Sequence, residues 1–364
     1  MIKCIHTGDL HLGKEFKHTS LKKSYGNERR REILDVFFDI INRAKKNKID
    51  ILLIAGDLFE SNYLNIGQVK MINKKFKEIS NIKIVIAAGN HDPIDNKSLY
   101  NLLDWSENVF IFKKDELSKL VFEDINTVIW GLSWTKKEEK KELQKINLDN
   151  SKINILLVHG DVYNKNSKYL PIDINMLINS DFNYVALGHI HKHEFINEKI
   201  CYCGSPEPLD FGETGEHGII EGSISKEKTS MKFQRMGKRE FKIVNIEVNE
   251  NMNFLDILEK ITNIYTKEKR MRDIYRVNLI GIRDRDLRLD ITELEERLSN
   301  KFYYIEIIDK LVPDYDIDKL LKENQNNIIG LFIKEMKKKN IKDPIVKDAL
   351  YLGLEALLEE KVEF

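Results

Sequence analysis

The chain has 364 residues, and its 59 basic side chains are matched by 59 acidic ones, for a formal net charge of zero. Hydrophobic residues make up 42% and charged residues 32%, which fits a globular chain of two or three domains and excludes a uniformly basic nucleic-acid binder. No apolar run approaches the roughly 20 residues a membrane span needs, the N-terminus lacks the apolar stretch of a signal peptide, and three cysteines suit a reducing compartment, so a cytoplasmic protein with no membrane partner is expected.

The opening "MIKCIH" reads as a short strand running into Thr7-Gly8-Asp9-Leu10-His11. In "RREILDVFFDIINRAKKNKID", Ile33, Val36, Phe37, Ile40, Ile41 and Ala44 recur at the spacing of an amphipathic helix. "ILLIAGD" is a buried strand ending at Gly56-Asp57, "GQVKMINKKFKEIS" a second helix, and "IKIVIAAGNHD" a third strand ending at Asn90-His91-Asp92. Strand, helix, strand, helix, strand implies parallel crossovers.

Further strands are expected at "VFIF", "LVFED", "TVIWGLSW", "INILLVHGD", "NYVALGHIH" and "HGIIEGSIS". The run "KKEEKKELQK" reads as a solvated helix or loop. Cys201 and Cys203 form a C-x-C that can bind metal, but in "KICYCGS" they read as sharing one face of a strand. Near Gly237 the pattern changes to a β-α-β-α-β order through "REFKIVNIEV", "FLDILEKITNIY", "YRVNLIG", "ITELEERLS" and "FYYIEII", and beyond Pro313 it is nearly all helical. The expected divisions are 1–238, 239–311 and 312–364.

Five apolar strands end in polar residues of one kind: Asp9 and His11, Asp57, Asn90 and His91, His159, and His189 and His191. In open α/β sheets ligands gather at the carboxyl ends of strands, so all five exits can face one crevice. If the backbone stays extended, each i,i+2 pair points to one side. Asp, Asn and His without thiolate suit manganese, iron or zinc in an N/O site. The donors are too many for one tetrahedral ion and suit two ions about 3.5–4 Å apart, the arrangement for phosphoester hydrolysis. His6, His18, His193 and His217 are read as structural.

The motifs D-x-H, G-D, G-N-H-D, V-H-G and G-H-x-H, in this order, resemble the calcineurin-like metallophosphoesterase superfamily. "HTGDLHLG", "GDLFE", "GNHD", "LGHIHK" and "YCGSPEPLDFGE" resemble its SbcD-type branch of DNA-repair nuclease subunits; the motifs span residues 6–213. Gly8 and Glu60 depart from the branch's usual Ser or Ala and Asp, and neither is expected to be a ligand.

The resemblance implies an α/β sandwich of two mixed sheets flanked by helices, a small α+β capping domain and a helical C-terminal tail. It implies that Asp9, His11 and His191 hold one metal, that Asn90, His159 and His189 hold the other, and that Asp57 bridges them. It places His91 beside the scissile phosphate as acid, with Asp92 orienting His91 by a hydrogen bond. Two divalent ions, manganese first, then lower the pKa of an attacking water and neutralise the phosphodiester. The implied activity is a nuclease that trims duplex ends 3′ to 5′ and nicks single strands in DNA repair. A small-molecule phosphodiesterase or nucleotidase with the same dinuclear core is the alternative, and a non-catalytic DNA-binding scaffold is a third reading.

Lys14, Lys17, Lys22, Lys23, Arg29, Arg30 and Arg31 are expected in a loop that can track a DNA backbone, with "KEKRMR" at 267–272 a second basic candidate. The amphipathic segments beyond Pro313 either pack on the smaller module or dock on a partner, which the resemblance identifies as a coiled-coil SbcC-type ATPase. A homodimer is a further expected assembly.

Overall fold

The computed structural model describes all residues except 17–22, 61–62, 139–142, 144–145, 342 and 359–364; residues 23–24 lie in a helix with their side chains undescribed. The predicted roles of His18, Lys17 and Lys22, and much of the run at 136–145, therefore fall outside the described residues. The chain divides after Phe241 into two compact units.

The first unit begins β1 (Ile2–Thr7), α1 (Lys23–Asn47), β2 (Ile51–Ala55), α2 (Ile66–Lys77), β3 (Lys83–Ala87) and β4 (Val109–Ile111). It continues β5 (Ser118–Phe122), β6 (Thr127–Gly131), β7 (Ile153–His159), α3 (Ile174–Ile178) and β8 (Tyr184–Gly188). It closes with β9 (Glu194–Phe195), β10 (Ile200–Tyr202), β11 (Gly218–Ile224) and β12 (Thr229–Arg235). The short α3 and the strand β12 carry no strong periodicity, and the sequence does not predict them.

Two six-stranded sheets result, ordered β12-β11-β1-β2-β3-β4 and β5-β6-β7-β8-β10-β9. Both are mixed. β1 to β4 are parallel, β11 is antiparallel to β1 and β12 antiparallel to β11, and β6, β7, β8 and β10 are parallel with β5 and β9 antiparallel. The inner faces meet in one apolar core that includes Cys4, Leu53, Val85, Ile129, Leu157, Ala186, Cys201, Cys203 and Ile220. The three thiols are free and buried there, as the strand reading of the C-x-C expects. β2, β7 and β8 are buried along their whole length, which is why their sequences are continuous apolar runs rather than alternating ones.

The helical stripe Ile33, Val36, Phe37, Ile40, Ile41 and Ala44 is buried as its spacing requires. Phe37 of α1 meets Phe76 of α2 edge-on at 5.6 Å between ring centroids. The outer face of the second sheet is covered by α3 and irregular segments, through Trp134, Leu170, Ile172 and Leu177.

α1 starts at Lys23, well before the predicted stripe. The basic segment is thus helix rather than loop from residue 23 onward, and this corrects the reading of Arg29 as a DNA contact. Arg29 is fully buried. Its guanidinium pairs with Glu207 at 2.6 Å, donates to the Pro208 carbonyl at 2.9 Å and pairs with Glu32. Local composition could not distinguish it from its exposed neighbour Arg31, because its partners Glu207 and Pro208 lie nearly 180 residues away.

The second unit carries a three-stranded sheet, β13 (Phe241–Val248), β14 (Ile274–Arg283) and β15 (Tyr304–Pro313), in that order. β14 and β15 are parallel. Between the strands run α4 (Phe254–Thr262), α5 (Lys267–Arg272) and α6 (Ile291–Leu298). α4 and α6 bury Ile257, Ile261, Leu294 and Leu298 in the core they share with this sheet. The basic "KEKRMR" is α5, and two of its cations are internally committed: Arg270 donates to the Tyr265 carbonyl at 2.8 Å and Arg272 to Asp273 at 2.7 Å.

The remaining helices are α7 (Ile317–Glu323), α8 (Ile328–Lys337) and α9 (Pro344–Leu358). They form a small core of their own around Ile333, Met336, Leu350 and Leu354. Glu355 of α9 pairs with Arg283 of β14 at 2.6 Å. Among the described residues no helix is long and apolar enough to cross a membrane.

Removing one partner of a buried ion pair leaves an uncompensated charge, at a cost of about 3–5 kcal/mol. Arg29→Ala, which strands the buried Glu207, is therefore expected to lower the unfolding free energy of the full chain by that amount in urea denaturation. Wild-type stability in the variant would contradict a buried structural role.

Candidate metal centre

β1, β2, β3, β7 and β8 end together, and the residues just past their ends converge. Three groups of ligand atoms lie within 4.8 Å of one another: Asp9, His11 and His191; His11, Asp57 and His91; and Asp9, Asp57 and His159. Asn90 joins them through its Oδ1, 3.0 Å from His159 Nε2. His189 takes part through its main chain, donating its N–H to Asp9 at 3.1 Å. Its ring lies against His159 and Tyr169, with centroids 5.2 and 4.9 Å apart.

The i,i+2 pairs do not sit on extended backbone. Asp9, His11, Asp57 and His189 all have positive φ, at 48°, 47°, 49° and 101°. They are turn residues beyond the strands, and left-handed turns rather than extended backbone aim their side chains. Such conformations cost on the order of 1–3 kcal/mol each in non-glycine residues and cluster where function over-determines them. Two glycines make the approach possible. A Cβ on Gly89 would sit 2.2 Å from Asp57 Oδ1, and one on Gly56, whose φ is +86°, would sit 2.3 Å from His159 Nδ1.

Each inward-facing imidazole has its other nitrogen committed. His11 Nδ1 faces Glu60 at 3.3 Å, His159 Nδ1 donates to the Ala55 carbonyl at 2.9 Å, and His191 Nδ1 donates to Glu213 at 2.6 Å. A neutral ring that donates from Nδ1 leaves a lone pair on Nε2. The Nε2 atoms of His11 and His191 nevertheless face one another at 3.2 Å. His159 Nε2 faces both Asn90 and Asp57 Oδ2, the latter at 3.4 Å. Converging lone pairs in a buried site repel unless a proton or a cation lies between them. The donor set thus fits divalent cations.

The charges agree. Burial would raise the Asp57 carboxyl, but His159, His11 and His91 around it hold it well below the usual carboxylate range. Burial opposes charge on His159, yet Asp57 and Asp9 raise it to about 9. Burial likewise opposes charge on His191, which Glu213 and Asp9 raise to about 9. His189 is pushed down to about 4 by burial and by His159.

His91 stands at the edge of this cluster with its side chain 38% exposed. It lines an open cleft of about 740 Å³ with Asn90, Lys97, Lys137 and Tyr169. Its main-chain N–H donates to Asp57 at 2.8 Å, and its Nδ1 faces Glu60 at 3.1 Å. That hydrogen bond to Glu60 raises the His91 pKa against the effect of burial. Asp92 does not orient His91, contrary to the sequence expectation. Its carboxylate accepts from the main-chain N–H groups of Gly89, Asp57, Leu58 and Phe59 at 2.7–3.2 Å, and from the Tyr100 hydroxyl at 2.6 Å. Asp92 ties the Asp57 loop to the Asn90 loop, and Glu60 does the work assigned to it.

Sequence reasoning gives no role to Glu60 in "GDLFE" or to Glu213 in "DFGE", although both lie in the quoted motifs. It also passes over Trp134, whose indole donates to the His159 carbonyl at 2.8 Å. Of the predicted basic residues, Lys14 lies at the centre, its amine 3.8 Å from Glu60. Arg30 donates to the Asn27 side chain on α1. Lys23 begins α1.

The described histidines read as structural, His6, His193 and His217, have partners elsewhere. His6 bonds the Tyr184 hydroxyl at 2.8 Å, His193 stacks on Phe233, and His217 lies 2.9 Å from Ser205.

Comparison with known proteins gives a match to the calcineurin-like phosphoesterase family over residues 2–193. The chain is 24% identical over 289 residues to an uncharacterized metallophosphoesterase, YhaO, of Bacillus subtilis (strain 168), covering 76% of this chain and 70% of that one. Among solved structures, TT1561 of Thermus thermophilus aligns with 65% of this chain and 99% of its own, at 12% identity and a TM-score of 0.40.

Because protons hold the converging lone pairs in the metal-free protein, cations must displace them. With His159 and His191 protonated up to about 9, metal uptake near neutral pH is expected to release protons, and apparent affinity to fall as pH drops from about 9 toward neutrality. Calorimetric titration in buffers of different ionisation enthalpy measures the release; a pH-independent affinity would contradict it.

Proposed function

The chain belongs to the calcineurin-like phosphoesterase family, and from that premise we propose that it is an SbcD-type DNA nuclease of the cytoplasm, acting in repair with two manganese ions. Family membership carries metal-dependent phosphoester hydrolysis. The observation that supports it most directly is the convergence of Asp9, His11, Asp57, His159 and His191 on shared points between buried lone pairs. When bound, two divalent ions supply the charge that activates a water and neutralises the phosphoester oxygens.

The chain's own residues do the rest. Asp9, His11 and His191 would hold one ion, Asn90, His159 and His189 would hold the other, and Asp57 would serve both. His91 meets the scissile phosphate from the open cleft and passes a proton to the leaving oxygen, with Glu60 holding its Nδ1 so that Nε2 faces the substrate. Lys14 beside Glu60 attracts the phosphate backbone. The branch-specific wording of "HTGDLHLG" and "YCGSPEPLDFGE" supports DNA as substrate, with 3′-to-5′ trimming of duplex ends and nicking of single strands.

The small-molecule reading keeps one observation in its favour. The cleft beside His91 carries Glu60, Asp95 and Glu138 as well as Lys97 and Lys137, a mixed lining that is not a simple phosphate track. Hydrolysis of duplex DNA, single-stranded DNA and mononucleotides with manganese and with chelator separates the readings; cleavage of mononucleotides alone refutes the nuclease. On DNA, His91→Ala is expected to bind both ions yet turn over about 10²–10⁴-fold more slowly, and loss of metal in that variant would make His91 a ligand.

The terminal helices serve a coiled-coil ATPase partner. Ile328, Leu331, Ile345 and Leu352 remain exposed on α8 and α9 although these helices already share a core. A chain ending at Pro313 is expected to keep manganese-dependent nuclease activity and lose co-purification with the ATPase. Retained binding would remove the tail from docking.

A further inference from the structure

We propose that Glu213 is the positioning residue for the cation held by Asp9, His11 and His191, acting by fixing the His191 ring. The inference rests on the two-metal reading of the centre and is independent of the substrate.

The three inward-facing histidines are held in different ways. The side chains of His11 and His159 are 1% and 0% exposed, so close packing holds their rings in addition to the partners on Nδ1. That of His191 is 27% exposed and is enclosed less completely. What it has is Glu213, whose Oε1 lies 2.6 Å from His191 Nδ1. A carboxylate on Nδ1 selects the tautomer with its lone pair on Nε2 and makes that nitrogen a better ligand. His191 Nε2 is also the atom that faces His11 Nε2 at 3.2 Å and Asp9 Oδ1 at 3.8 Å.

Glu213 is itself braced. Its Oε2 accepts from the Ser205 hydroxyl and the Leu209 main-chain N–H, each at 3.0 Å. The Ser205 main-chain N–H returns to the His191 carbonyl at 2.8 Å. The same loop is anchored to α1 where buried Arg29 grips Glu207 and the Pro208 carbonyl. The segment between β10 and β11 is thus built around a carboxylate that touches one metal-facing ring.

The test is titration of the full-length, chelator-stripped protein with manganese(II) alone, followed by calorimetry. Glu213→Gln removes the charge while keeping an acceptor for His191. One of the two sites is expected to weaken about 10–100-fold, the usual cost of losing a partner behind a metal-bound histidine, and the other to stay as in wild type. Ser205→Ala, which loosens the brace but spares the His191 pair, is expected to weaken that same site by less than Glu213→Gln does and to leave the other as in wild type. Glu213→Asp, which restores the charge, is expected to recover part of the loss.

Wild-type binding by Glu213→Gln overturns the assignment, as does equal weakening of both sites alongside a lower melting temperature of the metal-free protein, which marks a merely structural role. No gain from Glu213→Asp over Glu213→Gln overturns it as well. A wild-type protein that takes up no manganese overturns the two-metal reading and this inference together.

Discussion

Asp57 is an ionised carboxylate with almost no access to water, and the surrounding imidazoles direct their remaining lone pairs at the same small volume. Such a group cannot be buried without compensating positive charge, because the interior screens it far less than water does. The surrounding imidazoles, His159 foremost, supply that charge in the metal-free protein, and divalent cations are the natural replacement. The energetics of the centre are therefore those of a shared positive charge.

The scaffold is arranged to keep these groups together against their tendency to separate. Four of the converging residues hold left-handed backbone conformations, and that strain persists only where neighbouring bonds over-determine it. Asp92 supplies one set of bonds by gathering the main-chain N–H groups of two loops. The segment after β6 supplies another: the Ala88 N–H donates to Ser133 at 2.7 Å, and Trp134 pins the carbonyl of His159. Gly56 and Gly89 matter for the space they leave to His159 and Asp57.

The basic residues show how the same composition serves different ends. Arg29 and Arg31 lie two positions apart in α1, yet one is a buried structural cation and the other is exposed. Helical periodicity turns Arg29 toward the 205–213 loop, where acidic and carbonyl groups meet it. Counting charges along a segment overstates the surface available to a polyanion; what remains depends on which cations the fold has already consumed.

The sequence by itself determined most strands and helices of the first unit, the five strand exits, and the residues gathered there, because each rests on local information. Apolar runs of fixed length, a helical stripe and a glycine before polar side chains are read over a few neighbouring positions. Only the tertiary structure decided the partners. Glu60 rather than Asp92 holds His91, Glu213 holds His191, left-handed turns rather than extended strands aim Asp9 and His11, and Arg29 is interior. Each of these depends on side chains brought together across tens to hundreds of residues, or on a backbone conformation imposed by such contacts, and no local pattern encodes which distant carboxylate will reach a given ring.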